Sequence, residues 1–349
     1  MKTIPFDINK LVRPNVAKLK PYSSARDEFK DFDAEMVFID ANENPFSSDV
    51  NRYPDPQQVR LKSELAGQKN VRVENILLGN GSDEVLDLLY RAFCEPAQDN
   101  ILTLPPTYGM YKVLAEVNNV ENREILLSKD FQPRVEEVLE KVDDHSRIIF
   151  LCSPNNPTGN SFSEGHVKAL LESFNGLVVV DEAYIDFSDK ESWLSRLDIY
   201  PNLVVTQTLS KAYGLAGIRL GICYASPQII AVLNKIKPPY NINELTQRRA
   251  LERLRETDVI FYEIHSIKEQ KEELFKSLLQ VNFVEEVYPS DANFILARVD
   301  DANKRYGQLV EKGIVVRNRT TQPLCKNCLR FTVGTPGENE KLIKTLNLL

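Results

Sequence analysis

No stretch of this sequence is apolar for long enough to cross a membrane, and none is basic for more than a few residues. The first absence excludes a transmembrane helix, which needs about 20 apolar residues. The second, together with a formal net charge of −7, argues against nucleic acid or an anionic membrane as a partner, because each requires a concentrated positive surface. Histidine is scarce as well. His145, His166 and His265 show no pairing that would complete a four-ligand zinc site with Cys325 and Cys328. CKNC (325–328) therefore reads as a turn between two strands, and no metal is expected. The five cysteines are odd in number and sit mostly in apolar segments, which predicts buried free thiols in a reducing compartment and no structural disulfide. The first thirty residues carry Lys2, Lys10, Arg13, Lys18, Lys20 and Arg26 among prolines, without the apolar core of a signal peptide. The expected location is the cytoplasm.

What is present is the composition of an ordinary globular protein, 42% hydrophobic and 27% charged over 349 residues, long enough for one large domain and a smaller one. Between 76 and 224, short apolar runs alternate with helical patterns: ILLG, NILTLP, REILLS, SRIIFLCSP, GLVVVDEAY, NLVVTQTLSK and LGICYAS. Runs such as LVVVD, apolar without alternation, predict strands covered on both faces. The pattern is that of an α/β domain with a mainly parallel sheet between crossover helices, and in such sheets ligands sit beyond the carboxyl ends of the strands. From about 242 the pattern changes to a long polar-amphipathic helical region. ANFILARV, DANKRYGQLVEKG, IVVRNR and CLRFTVGT follow, predicting strand, helix, strand and strand of a smaller α+β domain. The expected division is an N-terminal arm over 1–30, a large domain over 31–245 and a small C-terminal domain over 246–349, with the long helix as the join.

Four predicted strand ends carry reactive groups. In GNGSDE (79–84) Ser82 reads as a helix N-cap followed by Asp83 and Glu84, and the exposed N–H groups suit a phosphate. SPNNPTG (153–159) places Asn156 just beyond a strand, and DEAY (181–184) ends another with Asp181 and Tyr184. TLSKAYGLAGIRLG (208–221) sets Ser210, Lys211 and Arg219 among glycine and alanine at 212, 214, 216, 217 and 221, small residues that admit a bulky group close to the backbone. A carboxylate at the end of a buried strand is costly unless a cation meets it. A cofactor with a pyridinium nitrogen, an aldehyde and a phosphate accounts for all four segments. Asp181 would meet the ring nitrogen and Lys211 the aldehyde, while Asn156 and Tyr184 would meet the ring oxygen. Ser82, Ser210 and Arg219 would hold the phosphate. Pyridoxal phosphate has these groups.

With KPYSSARDE (20–28), ANENP (41–45), RYPDPQ (52–57), PPTYGMY (105–111) and LRFTVGTPGEN (329–339) added, the chain resembles the fold-type I pyridoxal-phosphate aminotransferases, and within them the histidinol-phosphate branch. The resemblance implies a large domain with a mainly parallel seven-stranded sheet between helices and a smaller α+β C-terminal domain. It implies Lys211, Asp181 and Tyr184 as catalytic groups, and Ser82, Asp83, Tyr108, Asn156, Thr208, Ser210 and Arg219 as further cofactor contacts, with Tyr108 stacked on the ring. Tyr53 would reach the cofactor phosphate from the other subunit of a homodimer. Arg330 would take the substrate carboxylate, and Tyr22 and Arg317 would lie near the substrate phosphate. The implied reaction exchanges an amino group between histidinol phosphate and glutamate, with 2-oxoglutarate as the keto acid, in histidine biosynthesis. Gln207 departs from the pattern, which more often has arginine there. An aromatic amino-acid aminotransferase, a threonine-phosphate decarboxylase and a non-catalytic phosphate-ligand-binding protein of the same fold are the competing readings.

Overall fold

The computed structural model describes residues 6–22 and 37–349. Parts of the expected N-terminal arm, and residues 23–28 of the KPYSSARDE motif, lie outside the described residues. Seven strands build the larger sheet: β1 (Ile76–Asn80), β2 (Asn100–Thr103), β3 (Glu121–Glu124), β4 (Ser146–Cys152), β5 (Leu177–Asp181), β6 (Leu203–Thr208) and β7 (Leu220–Ala225). Their order is β1-β7-β6-β5-β4-β2-β3. Every pairing is parallel except those of β7, which runs antiparallel to both β1 and β6.

The continuous apolar runs are explained by cover on both faces. Ile149, Leu151, Val178, Val180, Leu203 and Val205 enter one buried cluster. Their neighbours Ile148, Phe150, Leu177, Val179 and Val204 enter a second on the opposite face, packed with the helix Ser82–Phe93. Alternate side chains of a strand point to opposite faces, so a sheet buried twice needs apolar residues at every position.

The smaller sheet is antiparallel throughout, in the order β10-β11-β9-β8, with β8 at Val284–Val287, β9 at Phe294–Val299, β10 at Arg317–Asn318 and β11 at Cys328–Thr332. Ile295, Ala297, Leu329 and Phe331 pack on one of its faces with the helices Thr257–Leu278, Ala302–Glu311 and Pro336–Leu346.

The structure corrects the sequence reading in several places. Gly81, not Ser82, is the N-cap, and Ser82 is the first helical residue with no side-chain capping bond. The reason is conformational: the turn needs φ +81°, which glycine adopts without a Cβ penalty. Of REILLS (123–128) only Arg123 and Glu124 enter strand β3, although Ile125 and Leu127 still donate backbone bonds to Thr103 and Pro105. The long helical region is two helices, Glu244–Leu254 and Thr257–Leu278. Buried Arg253 stands at their junction, donating to the Tyr213 carbonyl at 3.0 Å and to Glu256 at 2.8 Å. IVVRNR shortens to a two-residue strand, and β8, sequence VEEV, was not foreseen. A register shift in β8 turns both of its glutamates outward, so it carries no apolar alternation to read. All five cysteines are buried free thiols.

Gly221 also proves to be small for a reason internal to the chain. A Cβ there would lie 2.3 Å from Ser82 N and 2.4 Å from the Gly81 carbonyl carbon, so β7 packs backbone against the start of the helix after β1. Backbone cannot step aside as a side-chain tip can. Gly221→Ala is expected to lower stability by at least about 1–3 kcal/mol; an unchanged urea midpoint would contradict this packing argument.

Candidate active site

The direction of β7 gathers the reactive groups. β4, β5 and β6 end at one edge of the large sheet, and because β7 runs the other way its first residues lie at that same edge. Thr208, the last residue of β6, pairs with Gly221, and Asn80, the last of β1, pairs with Leu220. Arg219, immediately before β7, is thereby set beside the helix that follows β1. It occupies the left-handed region at φ +56°, and its carbonyl accepts the Gly81 N–H at 2.9 Å.

One cavity at this edge is lined by Ser82, Asp83, Tyr108, Asn156, Asp181, Tyr184, Thr208, Ser210, Lys211 and Arg219, together with Cys152 and Ala183. Ten of the sequence-predicted residues therefore share one space. Asp181 is buried. Its Oδ2 accepts the Tyr111 hydroxyl at 2.7 Å and its Oδ1 the Ala183 N–H at 3.2 Å. Burial pushes its carboxyl above the usual range, and these two donors oppose the shift. Burial also lowers the Lys211 amine, and the charges of Arg330 and Arg219 lower it further, while Asp181 pulls the other way. Lys211 Nζ lies 5.6 Å from the centroid of the Tyr184 ring.

Around this pair the polar groups are cross-braced. The Tyr108 hydroxyl donates to Asp83 Oδ1 at 3.0 Å, and Arg219 approaches the other oxygen of Asp83 at 3.7 Å. Arg330, on β11, donates to Asn156 Oδ1 at 2.5 Å and lies over the Phe294 ring at 4.9 Å. Arg317 faces Arg330 across the β10–β11 pair. Four expected residues do not line this cavity: Arg330 meets it only through its bond to Asn156 and Arg317 only through its pairing with Arg330, and the other two lie elsewhere in the chain. Tyr53 lines a different cavity and stacks on Tyr240 at 4.5 Å, and Tyr22 is 74% exposed.

Tyr111 was not among the sequence candidates, although it lies in PPTYGMY. Its bond to Asp181 spans 70 residues, and nothing local marks which of two nearby tyrosines turns toward the acid. Its ring is fully buried against Phe150, 4.8 Å between centroids, which fixes the hydroxyl in place.

The residues present fit pyridoxal phosphate. A buried carboxylate with no Lys or Arg paired to it among the described residues suits a cationic ring nitrogen, because an opposite charge offsets the cost of burial. The amine of Lys211 opens on the same cavity, and Arg219 with the N–H groups at the start of Ser82–Phe93 suits an anion.

The model of the aminotransferase class I and II family matches residues 27–346. The chain is 72% identical over 345 residues to a histidinol-phosphate aminotransferase of Flavobacterium johnsoniae, covering 99% of both chains. It is 62% identical over 344 residues to that of Christiangramia forsetii, covering 99% of this chain and 98% of the relative. Among solved structures, histidinol-phosphate aminotransferase from Sinorhizobium meliloti, in complex with pyridoxal-5'-phosphate, aligns with a TM-score of 0.79 at 23% identity, covering 86% of this chain and 83% of that one.

Behind the cavity stands Gln207, where the resemblance leads one to expect arginine. Its side-chain amide donates to Glu182 at 2.9 Å, and Glu182 also accepts from the Ser192 hydroxyl at 2.5 Å and the Trp193 N–H at 2.7 Å. The amide brings no charge, and burial pushes the Glu182 carboxyl up to about 7 from its ordinary 4.5. Between those values the folded chain keeps a proton that the unfolded chain releases. The corresponding stability is complete below 4.5 and is lost as pH rises through 7. The change is on the order of 3 kcal/mol. Glu182→Gln is expected to flatten the fall in stability between about pH 5 and 8, as read from denaturant midpoints; an equal slope in the variant would refute the assignment.

Proposed function

The chain belongs to the aminotransferases of class I and II, and from that premise we propose that it moves the amino group of L-histidinol phosphate to 2-oxoglutarate, giving imidazole acetol phosphate and L-glutamate in histidine biosynthesis. The observation that carries this reading is the meeting of the buried Asp181 carboxylate and the Lys211 amine in one cavity, in a chain 72% identical to a histidinol-phosphate aminotransferase along its whole length. The competing enzyme readings lose support from the same identity, and a non-catalytic role has no use for that acid and amine together.

Pyridoxal phosphate is the cofactor, and when bound it supplies an aldehyde that takes the amino group and a pyridine ring that draws electrons from the neighbouring carbon. Lys211 would hold it, then act as nucleophile and general base, taking the proton from the amino-bearing carbon; burial and the charge of Arg330 hold its amine below the usual lysine value, which favours that role. Asp181 would hold a proton on the ring nitrogen. Tyr111 keeps that carboxylate oriented, and without it the acid would be free to turn. Asn156 and Tyr184 would meet the ring oxygen, and Tyr108 the ring face. Asp83 would anchor Tyr108 and Arg219. Ser82, Thr208, Ser210 and Arg219 would surround the phosphate. Arg330 would bind the substrate anion, with Arg317 and Tyr22 near the substrate phosphate.

We read the two sheets as two domains divided near residue 245, with an N-terminal arm before residue 31 and the substrate between the domains. The working form would be a homodimer in the cytoplasm, with Tyr53 serving the neighbouring subunit's phosphate. Exposure of Val37, Ile39 and Phe46, each at least 80%, near Tyr53 in sequence supports an apolar surface there for a second copy. No helix among the described residues is long and apolar enough to cross a membrane.

The reaction is tested by following glutamate formation from 2-oxoglutarate with histidinol phosphate, phenylalanine or threonine phosphate as the varied substrate. Histidinol phosphate is expected to be strongly preferred; faster turnover of phenylalanine, or carbon dioxide release from threonine phosphate, would overturn the reading. Lys211→Ala is expected to reduce turnover by at least about a hundredfold. Asp181→Asn leaves a ring nitrogen without its partner, a loss of about 3–5 kcal/mol for a buried pair, so near-wild-type turnover in that variant would rule out its role.

A further inference from the structure

Three arginines come to one face of the small sheet. Arg317 stands opposite Arg330 in the antiparallel pair of β10 and β11. The pairing continues through Asn318 and Leu329, and the backbone bond from Arg319 N–H to the Cys328 carbonyl, 2.8 Å, extends it by one more residue. Side chains alternate along a strand with period two, so Arg317, Arg319 and Arg330 share a face. Val316 and Leu329, the residues immediately before Arg317 and Arg330, join the apolar core on the other. The arginine face looks onto the candidate active site: Arg330 bonds Asn156, and the charges of both Arg330 and Arg319 bear on the Tyr184 phenol.

Arg319 was not singled out from the sequence. In the structure its Nε is buried without a hydrogen-bond partner, and so is that of Arg330. Among the described residues no carboxylate bears on either guanidinium. Each arginine instead feels its like-charged neighbours, and burial with Arg319 alongside brings Arg330 down to about 10. Like charges with unpartnered donors are unfavourable in a partly buried setting unless an anion meets them. The number of oxygens on that anion then matters. A guanidinium fork pairs bidentately with two oxygens, which satisfies a carboxylate. A phosphate ester presents three free oxygens and close to two negative charges, so one oxygen and part of the charge are left over.

Resting on the reaction proposed above, we propose that Arg319 is the residue that distinguishes the phosphate-ester substrate from the carboxylate substrate: its guanidinium takes the phosphate oxygen that Arg330 leaves unpaired. The amino acid and keto acid use Arg330 without it. Both half-reactions can then run in one cavity with unequal demands on the arginine face.

The test compares wild-type, Arg319→Gln and Arg319→Lys holoenzymes, with histidinol phosphate and glutamate varied separately and inorganic phosphate as a competitive inhibitor. Arg319→Gln is expected to raise KM for histidinol phosphate about ten- to a hundredfold and to weaken phosphate inhibition by a similar factor. It should leave kcat and KM for glutamate within about twofold, since no contact to the carboxylate is lost. Arg319→Lys should recover part of the loss, because lysine keeps the charge and forfeits the fork. An equal rise in KM for both substrates, or phosphate inhibition unchanged in Arg319→Gln, would overturn the proposal. If wild-type holoenzyme took no amino group from histidinol phosphate, the reaction itself would be wrong, and phosphate inhibition would still decide the role of Arg319.

Discussion

Everything at the candidate site is arranged around a carboxylate held out of water at the end of a buried strand. Asp181 closes β5, in the middle of a sheet covered on both faces, and a charge there is unfavourable unless compensated. Two hydrogen bonds, from Tyr111 and the Ala183 N–H, meet part of that need. The remainder is a standing preference for a cation, a need that a protonated pyridine nitrogen would meet. The same burial depresses Lys211, so one desolvated space raises the acid and lowers the amine.

The small sheet contributes the opposite electrostatic pole. Its core face is apolar and its other face carries arginines toward the large sheet, joined to it through Arg330 and Asn156. A second link runs through the loop after β4, where the Ser161 N–H donates to Asp291 at 3.1 Å and the Asp291 N–H to the Gly159 carbonyl at 2.8 Å. The loop that offers Asn156 is therefore braced from both sheets, and the acid-and-amine pair lies close to the anion-seeking face.

Gln207 shows how a neutral side chain serves a buried acid. A charged partner for Glu182 would hold that acid ionised; the neutral amide still fills its hydrogen-bonding needs alongside Ser192 and Trp193. Polar satisfaction and charge compensation are separate requirements; here the first is met, and the second only in part, through the charge of Lys69. The consequence falls on the pH dependence of stability behind the cavity, while Asp181 keeps its own donors.

The sequence by itself determined the alternation of strands and helices, the double burial of the large sheet and the chemistry at the strand ends, because each is written in residues close together: LVVVD before an acid, TLSK before an amine, glycines before a helix. Tertiary structure decided what depends on strand direction and register. The antiparallel course of β7 brings Arg219 to the edge where β4, β5 and β6 end. Pairing of β10 with β11 aligns Arg319 with Arg317 and Arg330, and a bond across 70 residues selects Tyr111 as the partner of Asp181. Gly221 is small because the turn at Gly81 passes against it, and Gly81 caps the helix because its turn requires a positive φ. Local patterns report which groups a strand end offers. Which groups meet is settled by contacts between segments far apart in the chain, and a single sequence carries no local mark of them.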